Sequence, residues 1–213
     1  MEIAPPCLPE NSAPDAGIAS LVGTEEVADA VFRGALLEGA VHEHLSVERC
    51  IFHGCRFPGA ALGRTRFADV LFRSCDFSNA DLRGCSFQRV QMLDCKLTGA
   101  EFAEAAFGSV VFLRCRGEFA GFAAARFRRV RFEGCTLREA VLSECRFEQT
   151  RFEACDLSAA EFSGSRLHGI SLADSEIRSI RVRDCTSFEL KGTRISPAQA
   201  LDLVRLLGVE LEE

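Results

Sequence analysis

The chain has 213 residues, 47% of them hydrophobic and 26% charged, with a formal net charge of −6. That is enough to bury a substantial core, and it excludes a wholly disordered chain; no apolar run approaches the roughly 20 residues of a transmembrane helix. Eleven cysteines is an odd number, and the opening residues MEIAPPCLPENSAPDAG lack the basic start and apolar stretch of a signal peptide, so reduced thiols and a cytoplasmic location are expected.

Residues 1–16, rich in Pro, Ser and Asn, read as a flexible tail, and residues 17–29 as a cap over whatever follows. From residue 30 to 187 a single pattern takes over. Of the 32 positions whose numbers end in 2 or 7, 29 are Phe, Leu, Ile, Val or Met, and they hold 16 of the 18 Phe. The exceptions are His42, Gly117 and Ser187. The residue two places before each is small, most often Ala or Cys. Five fits neither the 3.6 period of a helix nor the 2 of a strand.

A second period of 20 lies on the first. Residues 55, 75, 95, 115, 135 and 155 are all Cys; 40, 60, 80, 100, 120, 140 and 160 are all Ala; 70, 90, 110 and 130 are all Val. Four five-residue units therefore make one turn, and like stacks on like. Each unit is one side of a square coil, with its small and large apolar residues turned inward and the other three facing water. One coil cannot bury its own contents, but stacked coils share a core. Neighbouring coils are expected to pair as parallel strands roughly 4.8 Å apart.

Units such as ADLRG (Ala80–Gly84), CDLSA (Cys155–Ala159) and AEFSG (Ala160–Gly164) resemble the A-(D/N)-L-x-x consensus of the pentapeptide-repeat family. The resemblance implies that family's fold, an all-β solenoid: a right-handed quadrilateral β-helix, here of about eight coils. The handedness comes from the family alone.

After residue 187 the register fails. In ISPAQALDLVRLLGVELEE, Ser196 is a good N-cap, Pro197 suits the first helical position, Gln199 completes a capping box and Gly208 stops the helix, which is expected over about 197–207. Residues 188–213 thus form a capping segment. Its apolar residues exceed what a lid needs, so Ala200, Leu203, Val204 and Leu207 are expected to form a homodimer interface. The tail also looks like that of the topoisomerase-protecting Qnr-like and MfpA-like branch, in which a C-terminal helix and strand join two rods.

Charge sorts by side. The Ala side carries Asp81, Glu101, Glu104, Glu144 and Glu161 in its middle, while the next side carries Arg66, Arg89, Arg126, Arg128, Arg129, Arg146 and Arg166. An acidic stripe on a narrow rod is able to imitate DNA phosphates, and the resemblance implies engagement of DNA gyrase or topoisomerase IV in that way. The basic side lacks interleaved aromatics, which argues against direct nucleic-acid binding. A protein-binding scaffold with another partner is the alternative function.

The cysteines occupy small inward positions and read as packing, with Cys7 in the tail the one reactive thiol. His42, His44, Cys50, His53 and Cys55 fall on different sides, so no metal site is expected. Neither a cofactor nor an enzyme activity is expected, since no phosphate loop or nucleophile motif is present. Gly117 takes the place of a core hydrophobe, with Phe119 two places on. Either Phe119 swings in to fill the gap, which is the expectation, or the wall bulges and displays an aromatic knob for a partner.

Overall fold

A computed structural model describes residues 3–10, 15–16, 25–37, 39, 41–183, 188–204 and 206. The coil is a parallel β-solenoid. Strands β1 (Glu26–Ala28) and β2 (Val31–Arg33) open it. Six eight-residue strands follow: β3 (Ser46–His53), β4 (Arg66–Arg73), β5 (Ser86–Leu93), β6 (Ala106–Leu113), β7 (Arg126–Glu133) and β8 (Arg146–Glu153). Every ladder joins residue i to i+20, as in Phe67↔Phe87 and Val110↔Val130. Six coils therefore carry a complete strand. The first coil has only short strands and the last has none, so the full count falls short of eight.

The four walls are not alike. Two adjoining walls merge into one long strand per coil, bent at its middle, with Val70, Val90, Val110 and Val130 just past the bend. β-branched side chains favour this extended backbone. On the Cys and Ala walls each unit keeps a single bridge, such as Asp76↔Lys96 or Asp81↔Glu101, between turns.

The corners follow one rule. Every non-glycine residue with positive φ, from Asp29 to Ser179, has a number ending in 4 or 9. Such a conformation costs an L-residue roughly 1–2 kcal/mol. At most corners the amide donates to the next coil and holds the conformation: Arg64 to Arg83 O at 2.9 Å, Asn79 to Thr98 O at 3.0 Å, Glu104 to Ala123 O at 2.8 Å.

Inside, like stacks on like. The rings of Phe67, Phe87, Phe107, Phe127 and Phe147 run in one column with centroids 4.9–5.2 Å apart. Phe112, Phe132 and Phe152 form another at 4.6–5.0 Å. Offset stacking at the ladder spacing explains why one aromatic type dominates. The small inward residues do more than leave room. Each inward Cys Sγ among the described residues donates to the carbonyl 23 residues back, as Cys85 to Leu62 O at 3.1 Å and Cys145 to Phe122 O at 3.0 Å. Where the position is Thr or Ser the hydroxyl makes the same bond, as Ser165 to Leu142 O at 2.6 Å.

Helix α1 spans Pro197–Val204. Its capping box forms: Ser196 N donates to Gln199 Oε1 at 2.7 Å, and Gln199 N to Ser196 Oγ at 3.4 Å. Gln199 is also the anchor, its buried amide donating to Leu172 O at 2.7 Å and Ser175 O at 2.5 Å. Residues 17–24 of the cap expected over 17–29, the register break at Ser187, and Leu207 and Gly208 lie outside the described residues, while 26–28 of that cap form β1. The N-terminal segment, expected to be a flexible tail, lies along the rod in residues 3–10. Cys7 N donates to Asp69 Oδ1 at 3.0 Å, and Leu8 and Pro9 sit beside Ile51 and Leu71. No helix among the described residues is long and apolar enough to cross a membrane.

Candidate interaction surfaces

The ladder turns outward residues into columns with one side chain per coil, roughly 4.8 Å apart. On the Ala side one column runs Asp81, Glu101, Gly121, Val141, Glu161, Arg181. Asp81 is held by Arg83, whose Nε and Nη2 reach its two oxygens at 2.9 and 2.6 Å and keep its carboxyl below the usual carboxylate range. Glu101 bends along the wall to accept from Ala103 N at 3.2 Å, lying over Gly121, where a Cβ would come within 2.3 Å of its Oε1. Glu161 accepts from Ser143 Oγ at 3.0 Å and lies 3.9 Å from Arg181. Glu144 lies 3.9 Å from Arg183. Glu104 stands exposed at a corner. The five acids thus share one face, but among the described residues only Glu101 and Glu104 have no arginine paired with them.

The adjoining side is built from arginine. The β7–β8 register sets Arg126 opposite Arg146 and Arg131 opposite Arg151. Arg128 pairs with Glu148 at 3.7 Å, Arg131 with Glu133 at 3.3 Å and Arg151 with Glu153 at 3.4 Å. Arg126 and Arg146 have no acidic partner among the described residues. The Nε atoms of Arg129 and Arg131 are buried with no acceptor. Arg166 lies over the ring of Phe188, 4.9 Å from its centre. Toward the other end the corners instead pair coil to coil. Arg49 forks onto Asp29, Arg89 onto Asp69 and Arg114 onto Asp94, each 20 residues apart. This signal was open to sequence reasoning, as opposite charges at i and i+20 on corner positions, and was missed.

Phe119 does not swing inward, contrary to expectation. It is 58% exposed at a corner with φ 61°, and its amide keeps the corner bond to Arg138 O at 2.9 Å. Nor does the wall bulge, because Gly117 N still donates to Thr136 O at 2.7 Å. The space is already used: a Cβ on Gly117 would lie 3.0 Å from Leu137 Cδ2. On α1, Leu203 packs against the rod's core, Ala200 and Val204 are half-buried, and Leu201 is 58% exposed. Among the described residues no group of His, Cys, Asp and Glu is placed to hold a metal ion.

The chain matches the pentapeptide repeat region over residues 26–102, 85–145 and 119–187. No curated protein matches it. Among solved structures it is similar to a trypsin-treated variant of QnrB1, a plasmid-mediated fluoroquinolone resistance protein. The identity is 24% over 88% of this chain and 90% of that one, with a TM-score of 0.45. Full-length QnrB1 is 19% identical over 84% of this chain and 100% of its own, with a TM-score of 0.40. HetL, involved in heterocyst differentiation regulation in Nostoc sp. strain PCC 7120, is 14% identical over 79% of this chain and 86% of its own, with a TM-score of 0.30.

Proposed function

The chain belongs to the pentapeptide-repeat family, and from that premise we propose that it is a non-catalytic rod that binds a bacterial type II topoisomerase, DNA gyrase or topoisomerase IV. It protects the enzyme from quinolone-like or natural-product poisons, partly by standing in for DNA. The observation that supports this reading is the acidic cluster of Asp81, Glu101 and Glu104 on two stacked coils, held by the ladder on a rigid wall. A basic DNA-binding groove attracts such a wall. The mimicry is partial: duplex DNA carries one charge per about 1.7 Å of axis, far denser than this face, and Arg83, Arg181 and Arg183 neutralise part of it. Self-association goes through the C-terminal segment, with Leu201 the apolar residue α1 offers outward.

The experiment is a gyrase supercoiling assay with a quinolone, repeated with topoisomerase IV decatenation. Restored turnover in the presence of drug, or inhibition without it, supports the reading. Neither effect at any protein concentration, with either enzyme, rejects it. The second reading, a scaffold for another protein, is favoured by the arginine columns Arg126–Arg146 and Arg131–Arg151, which a pure DNA mimic does not need.

A further inference from the structure

The corner that joins the basic wall to the valine wall repeats one pairing every 40 residues: Arg49 forks onto Asp29, and Arg89 onto Asp69. At the next repeat the arginine is present but the acid is not. Ser109 precedes Arg129 in that column and Gln149 follows it. Among the described residues Arg129 has no acidic partner, and its Nε is buried without an acceptor. A charge partly withdrawn from water and left without a counter-ion is costly until an anion comes to it.

The basic wall itself divides in the same way. Toward the start of the rod its arginines are compensated, as Arg66 is by Glu48 at 3.7 Å. On β7 and β8, Arg126 lies opposite Arg146, both exposed and without an acidic partner among the described residues. Arg166 stands one coil further on and has the ring of Phe188 beside it, which carries no charge. The acids nearby are already engaged: Glu148 by Arg128, Glu133 by Arg131, Glu153 by Arg151 and Glu144 by Arg183, at 3.3–3.9 Å. The outward residues of the coils before are small or polar, namely Ser86, Gln88, Ala106 and Gly108.

We propose that this face, centred on Arg126, Arg129 and Arg146 with Arg166 at its end, binds the phosphate backbone of duplex DNA without sequence preference. The guanidinium fork matches a phosphate in a bidentate way, and the sheet holds neighbouring arginines roughly 4.8 Å apart. An acidic protein fits this wall less well. Stable protein interfaces centre on buried apolar and aromatic anchors, and here Phe188 alone is exposed, at one end. Protein–DNA interfaces are instead polar and strongly positive. Arginines spread over a flat wall reach phosphates and not base edges, so the contact positions without reading sequence. A single strand needs a run of aromatics on which bases stack, and this wall has none. The net charge of −6 does not oppose the contact locally, because residues 30–187 hold 22 Lys and Arg against 20 Asp and Glu. The acidic cluster of Asp81, Glu101 and Glu104 lies on a different wall and on earlier coils, so one rod offers an enzyme and a duplex separate faces.

The test is fluorescence anisotropy of a labelled duplex of about 20 base pairs, titrated with the full chain at about 20–150 mM salt. No topoisomerase is present, so the outcome stands whether or not the rod binds one. The proposal expects affinity to fall with salt along a log–log slope of about −3 to −4, as four phosphate contacts require. Arg126→Ala with Arg146→Ala weakens low-salt binding about tenfold or more and reduces the slope by about 2. Arg126→Lys with Arg146→Lys keeps the slope, since the charge remains. Arg56→Ala with Arg116→Ala, an equal loss of charge on the Cys wall, leaves affinity and slope unchanged. Absence of duplex binding at about 20 mM salt overturns the proposal. An equal loss in the Cys-wall variant overturns it as well, because net charge is then the cause. Tighter binding of a single strand, or of poly-glutamate, also overturns it, the latter by making the face a site for an acidic protein.

Discussion

At the residue scale, the cysteines show how a repeat converts a reactive side chain into packing. Among the described residues each inward thiol is walled by apolar neighbours and donates to a carbonyl of the coil before it. Burial pushes the Cys50 thiol up to about 11 and those of Cys85 and Cys145 up to about 12. The thiolate is the nucleophile, so at pH 8 these groups stay neutral and inert. Cys7, in contrast, is exposed. Brief maleimide treatment of the native protein at pH 8 is expected to label Cys7 and spare Cys50, Cys85 and Cys145, as peptide mapping will show. Equal labelling of all four would mean the coil opens readily.

At the scale of the element, the corner is the strained part and the coil-to-coil bond is what holds it. Phe119 bears the strain with a large side chain that gains nothing from burial. Phe119→Gly relieves the positive φ, offset by the greater freedom of glycine in the unfolded chain, leaving a gain of up to about 1 kcal/mol. In a domain of this size that is a rise of roughly 2–4 °C in Tm. If the ring is a partner contact, the same variant binds more weakly while melting higher, a split that calorimetry and a binding titration resolve. Corner charges behave differently. The Arg89 guanidinium beside Asp69, with the Cys7 amide, holds the Asp69 carboxyl below its ordinary value. A carboxyl depressed on folding contributes stability above its unfolded pKa of about 3.9, lost as pH falls through the lower folded value. Asp69→Asn is therefore expected to lower stability at pH 7 and to flatten its fall below about pH 4, seen by urea denaturation across that range.

On the whole-molecule scale the rod is a sum of neighbours, since each coil touches only the coils beside it. Its surface is consequently a set of independent columns, and function is to be sought in which columns carry uncompensated charge. Glu101 and Glu104 do so on the Ala face. Glu101→Lys with Glu104→Lys reverses them without touching the core, and is expected to weaken topoisomerase binding about tenfold, chiefly through a slower on-rate with a reduced salt dependence. The matched control is Glu118→Lys with Glu139→Lys, the same change of net charge on the Cys wall. Equal loss in both would point to net charge rather than to this face.

Much of this architecture is a property of the sequence alone. The periods of 5 and 20 determine which residues face inward and which coils stack, and Ser196 with Gln199 marks where the capping box closes, because these contacts are local in sequence or recur at a fixed interval. Only the tertiary structure decided the rest. Arg83 neutralises Asp81 through a side-chain conformation no period encodes. Phe119 stays outside because Leu137, from the next coil, already occupies the space beside Gly117. The wall beyond β8 is the clearest case. Residues 166–174 keep the inward pattern in sequence, yet their backbone leaves β8 for the returning residues 189–194, where the buried Glu189 accepts from the amides of Gly164 and Arg183. Pattern specifies which side chains are buried; which backbone satisfies a given amide depends on what the chain brings back across it.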